Sequence, residues 1–120
     1  MRAAAGILGA ALVCGALPAA AQGWEPKRNA ELQLLDKVTA RVTVLKAAVG
    51  QAAPFGSLSI QVLACNARPV GEVPDAAAWL EITDGLRPGV PAFRGWMFAN
   101  APGVSMLEHP VYDVRVLDCK

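Results

Sequence analysis

The sequence predicts an all-β fold, a small antiparallel sandwich or barrel with a few short helical turns, preceded by a signal peptide. Three observations carry this reading. Short β-branched or aromatic runs alternate apolar with polar residues, proline and glycine recur between those runs and leave little room for long helices, and the most apolar stretch lies apart from them at the N-terminus. Of the 120 residues, 54% are hydrophobic and 18% charged, for a net charge of +1. Sixteen of the first 21 are apolar. Setting that segment aside leaves the ordinary apolar share of a globular domain and equal numbers of basic and acidic side chains. Disorder is thereby excluded, and no net charge remains to hold the chain on nucleic acid or an anionic membrane.

Met1-Arg2 is a short positive start, residues 3–17 are apolar and interrupted only by glycine, and Pro18 to Ala21 supplies small residues before Gln22. This is the layout of a signal peptide over residues 1–21, cut between Ala21 and Gln22. The apolar run is too short for a comfortable membrane span. Cys14 raises the rival reading of an acylated lipoprotein cysteine, but Val13 is bulky where that processing wants a small residue, and Ala19-x-Ala21 lies in the better position. The mature protein is expected to be periplasmic or secreted, with no membrane span after cleavage. Residues 22–31 mix glycine, proline and charge around Trp24 and read as a flexible lead. A single β-rich domain is expected over 32–120.

Within that domain, Leu32 to Lys37 fits an opening strand or a helical turn. Arg41 to Leu45 alternates, with Arg41 and Thr43 on one face and Val42 and Val44 on the other. Leu58, Ile60, Val62 and Ala64 alternate with Ser59, Gln61, Leu63 and Cys65 in a clear strand introduced by the turn at Phe55-Gly56-Ser57. Ala77, Trp79, Glu81 and Thr83 lie opposite Ala78, Leu80 and Ile82, and Asp84-Gly85 breaks the run. Residues 83–93 read as a long surface loop. Residues 94–99 form an apolar strand in which Gly95 suggests a bulge or a close backbone approach, and Trp96 and Phe98 share a face. Val104 to Glu108 fits a short turn. The last strand, Val111 to Cys119, sets Tyr112, Val114, Val116 and Asp118 against Asp113, Arg115, Leu117 and Cys119.

Cleavage leaves two cysteines, Cys65 and Cys119, in a compartment that permits disulfides. A structural bridge would close a long loop and contribute about 4 kcal/mol in the chain-entropy model. Buried thiols, a metal site and a redox pair are the other readings; two distant cysteines and one histidine make poor metal-ligand arithmetic, and no C-x-x-C is present.

The runs LDKVTARV at 35–42, FGSLSIQVLAC at 55–65, AWLEI at 78–82 and GWMFANAPGVSMLEHPVYDVRVLDC at 95–119 resemble the bacterial domain-of-unknown-function family 2155. The similarity covers about residues 32–119, and its most specific part is GWMFA followed by EHPVYDV and the ending LDC. The resemblance implies a small exported β-rich protein with paired cysteines at Cys65 and Cys119. It implies no reaction and no catalytic residue.

Ser105, His109 and Asp113 are equally spaced and invite a nucleophile, base and orienter reading, but Pro110 lies inside the run and the residues after it are strand-like. Glu108-His109-Pro110 otherwise reads as a turn. Glu81 with Asp113 or Glu108 would supply the two carboxyls of a glycosidase, although so small a domain has little surface for a cleft. Exposed aromatics on a sheet face would stack on sugar rings, whereas the plainer reading buries them. No catalytic set, metal site or cofactor motif is expected. The reading is a non-enzymatic binding or structural module that contacts an envelope protein or cell-wall glycan through the surface that carries the 84–93 loop and the 100–110 turn, with Trp96, Glu108, His109, Tyr112, Asp113 and Arg115 as candidate surface residues. The alternative is a small carbohydrate-active or other hydrolase using His109 and nearby carboxylates.

Overall fold

The computed structural model describes Gly6, Gly9 and residues 23–120. The expected leader, its Ala21–Gln22 cleavage point and Cys14 lie outside the described residues. Eight strands succeed one another along the chain: β1 (Glu25–Pro26), β2 (Asn29–Asp36), β3 (Arg41–Ala48), β4 (Ala52–Phe55), β5 (Leu58–Ala67), β6 (Ala76–Asp84), β7 (Pro91–Phe98) and β8 (Tyr112–Cys119). Every pairing is antiparallel, and the strands form two sheets. In the first sheet the order is β1-β5-β6-β7, with β4 also on β5; in the second it is β3-β2-β8. The all-β reading holds, and no helix forms among the described residues.

The core lies between the sheets and obeys the alternation of the sequence. Ala30, Leu32 and Leu34 of β2, Leu58, Ile60 and Val62 of β5, Ala78, Leu80 and Ile82 of β6, and Val114 and Val116 of β8 are buried. The stretch at Leu32 is therefore strand rather than helical turn. From Glu25 onward the expected flexible lead, 22–31, also contributes strand. Its polar side chains face water, but its backbone is paired: Lys27 N–H donates to the Cys65 carbonyl at 2.7 Å, and Asn29 and Lys120 exchange N–H to carbonyl bonds of 3.0 and 2.8 Å. Composition conceals a strand whose contribution is mainly backbone pairing.

Two cysteine-bearing strands depart from strict alternation. The β5–β6 register slips between Val62 and Ala64, and the β2–β8 register slips between Glu31 and Leu32, leaving Leu63 and Leu117 as extra residues. Each extra residue is a β-bulge that reverses the facing of the rest of its strand. Leu63 and Leu117 sit outside at 41% and 38% exposure, and Cys65 and Cys119, two residues later in each strand, turn into the core. Continuous alternation placed both cysteines beside polar neighbours instead. They form a disulfide with Cα atoms 5.6 Å apart.

β7 begins at Pro91, so the loop read as 83–93 is short, and its register slip falls at Ala92 rather than Gly95. β3 departs differently. Val42 and Val44 do share a face, but it is the outer one, 54% and 59% exposed, because an edge strand reaches over the core only at its far end, where Ala47 is buried. Between β7 and β8 the chain returns along the sandwich from one end to the other, and Leu107 of that connection plugs into the core.

Replacing both Cys65 and Cys119 with alanine should lower unfolding free energy by about 2–5 kcal/mol, read from the urea midpoint. Thiol labelling of the unfolded, unreduced protein should find neither Cys65 nor Cys119 reactive; labelling of both would disprove the bridge.

Candidate functional site

β6 ends on Asp84, the one charged residue that is buried among the described residues. Its Oδ2 lies 2.8 Å from His109 Nε2, its Oδ1 accepts the Leu86 N–H at 2.9 Å, and the Ser57 hydroxyl donates to it as well. The His109 hydrogen bond first, then the Leu86 N–H and the Ser57 hydroxyl, lower the Asp84 pKa from 3.8 to about 2. On the far side of the ring, His109 Nδ1 accepts the N–H groups of Val111 and Tyr112 at 3.0 and 3.1 Å. An imidazole nitrogen that accepts two donors carries no hydrogen, so Nε2 carries it and donates to Asp84. Both nitrogens are thereby engaged, and no lone pair is left to take a proton from a substrate.

The remaining contacts extend this clasp. Lys37 Nζ donates to the His109 carbonyl at 2.7 Å. The Tyr112 ring lies 5.3 Å from that of His109 and meets Phe55 edge-on at 5.1 Å. Gly56 adopts φ 56°, and a Cβ there would overlap the Tyr112 hydroxyl, so the turn into β5 requires glycine twice over. Beside the clasp lies a recess of about 220 Å³ lined by Arg87, Val90, Glu108 and Pro110 as well as His109.

The equally spaced Ser105, His109 and Asp113 do not assemble. Ser105 and Asp113 line a separate, small recess with Met97 and Val116, while His109 faces Asp84. Nor do the carboxylates pair, since Glu81 binds Arg94 at 3.1 Å on the first sheet and Asp113 lies 3.6 Å from Arg115 on the second. Among the described residues, no group of three or more His, Cys, Asp or Glu side chains gathers in a way that would hold a metal ion. Of the six candidate surface residues, Glu108, His109 and Tyr112 come together at one end of the sandwich. Asp113 and Arg115 lie on the outer face of the second sheet, and Trp96 on that of the first.

Trp96 has company there. It stands opposite Trp79, rings edge-to-face with centroids 5.6 Å apart, and Phe98 stands opposite Ala77, which pairs in turn with Asn66. Trp24, Asn66, Ala77, Trp96 and Phe98 line an open recess of about 300 Å³. The Arg68 guanidinium lies 4.1 Å from the centroid of the Trp24 ring. The shared face of Trp96 and Phe98 is a consequence of their spacing. Trp24 and Asn66 reach the recess only through the pairing of β1 and β6 with β5, which no local pattern announces.

A family model described as "Uncharacterized protein conserved in bacteria (DUF2155)" matches residues 30–119. The chain is also similar to Uncharacterized protein RP359 of Rickettsia prowazekii (strain Madrid E), with 28% identity over 95 residues that cover 76% of this chain. The matched part spans 60% of that relative's length. No solved structure matches the chain.

Because the folded-state pKa of Asp84 lies below its ordinary value, ionised Asp84 stabilises the fold at pH values above about 4, and this contribution is lost as pH falls from 3.8 towards about 2. Urea unfolding across that range should show Asp84→Asn losing stability less steeply than the parent protein. Equal slopes would remove Asp84 as the titrating group.

Proposed function

The chain belongs to this family of uncharacterized proteins conserved in bacteria, and we propose that within it the chain is an exported, non-enzymatic module that binds cell-wall glycan through the aromatic face of its first sheet. The observation that carries this reading is the recess formed by Trp24, Trp96 and Phe98, with the Asn66 amide at its edge and the small Ala77 in its lining. Aromatic rings offer flat apolar surfaces to the C–H faces of a pyranose, and an amide both donates to and accepts from its hydroxyls. At 37% exposure Trp96 is open enough to meet such a ligand.

Export supports the choice of ligand. Residues 1–21 have the layout of a cleaved leader, and the Cys65–Cys119 disulfide is compatible with an oxidising compartment. No helix among the described residues is long and apolar enough to cross a membrane. The hydrolase alternative is weaker, because His109 is saturated at both ring nitrogens by Asp84, Val111 and Tyr112.

Cosedimentation of the protein with isolated cell-wall sacculi tests this. Trp96→Ala should weaken retention roughly tenfold, the upper range for one aromatic contact, while keeping the β-sheet circular dichroism of the parent protein. Leu86→Ala, at an exposed position in the β6–β7 loop, should bind normally. Retention that is absent in the parent protein, or equal in the Trp96 variant, would defeat the proposal.

A further inference from the structure

β3 closes one side of the second sheet. It pairs with β2 along its full length, from Asn29 opposite Ala48 to Asp36 opposite Arg41, and its other side carries no strand among the described residues. Proteins normally protect such an edge with a bulge, a proline, a short strand or charge. β3 is eight residues long, pairs with β2 without a slip and contains no proline. Its charges, Arg41 and Lys46, stand outside the exposed run Val42-Thr43-Val44 and make no ion pair among the described residues.

We propose that a second copy of the chain covers this edge, the two β3 strands pairing antiparallel about a two-fold axis through Thr43. A two-fold pairing that keeps both outer faces on one side sets residues of like facing opposite each other. Three registers centre on the exposed run. With the axis at Val44, Val42 meets the partner's Lys46; with it at Val42, Val44 meets the turn residue Ala40. With the axis at Thr43, Val42 meets the partner's Val44 in both directions, and Arg41 lies opposite Leu45 and Lys46 opposite Ala40.

Across the outer face, Asp113, Leu35 and Val42 form one row, and Arg115, Gln33 and Val44 the next. In the dimer, the first row runs on into the second row of the partner. Each combined row starts at Asp113 of one copy, passes four central residues that include the two valines, and ends at Arg115 of the other. The aromatic recess lies on the other sheet and stays open in both copies, so this inference stands apart from the glycan reading.

Two measurements test it. Opposite residues of an antiparallel pair have Cα separations within the range a disulfide bridges. Under mild oxidation the full-length Thr43→Cys variant should therefore become a covalent dimer, while Val70→Cys, at a fully exposed turn, should not. By sedimentation velocity the parent protein should run as a dimer, and Val42→Lys with Val44→Lys should raise the dimer dissociation constant at least tenfold. A monomeric parent, cross-linking of Thr43→Cys no greater than that of Val70→Cys, or an undiminished dimer in the double variant would each overturn the proposal. If the lysine variant fails to fold, the cross-linking comparison decides.

Discussion

The constraint on which the rest of the structure depends is the placement of β8 across the face of β6. Among the described residues β8 pairs with β2 alone, yet it must lie flat against a sheet with which it shares no ladder. Side-chain burial presses the layers together but specifies no exact position. Position comes from two fastenings at opposite ends: the disulfide to Cys65 at its C-terminal end, and the Asp84–His109–Tyr112 cluster at its start. With both in place the returning connection can bury Leu107, and the β2–β3 hairpin has a fixed strand to pair with.

This explains why the most reactive-looking side chains are poor candidates for chemistry. His109, the buried Asp84 and the disulfide pair Cys65 and Cys119 are all committed to holding β8. The proposed binding falls instead to surfaces that the core does not need, and the two outer faces differ sharply. The first sheet presents indole and phenyl rings around an amide; the second presents valines flanked by charge. Neither face lies in the core between the sheets, so each can serve a ligand or another chain.

Much of the fold was legible because burial imposes a period of two on each strand, and the runs at Leu58 to Val62, Ala77 to Ile82 and Tyr112 to Val116 carry that period openly. Where alternation breaks, legibility ends. A bulge leaves no mark on composition, so the inward turn of Cys65 and Cys119 was hidden even though their pairing was expected. The outward face of β3 was hidden because two valines look the same whether they meet a core or water. For the candidate site, the common face of Trp96 and Phe98 can be read from their spacing. The partnership of His109 with Asp84 cannot, since the two lie 25 residues apart and Asp84-Gly85 reads as an ordinary turn.

The two bulges have a further consequence. Leu63 and Leu117 precede their cysteines by the same two residues, so each thiol faces its mate only when its strand carries the extra residue in the proper place. A strand aligned one step out would show its sulfur to solvent, where it meets small oxidants and other molecules instead. Covalent closure thereby belongs to one alignment, and a slip of a single residue in either strand would forfeit it.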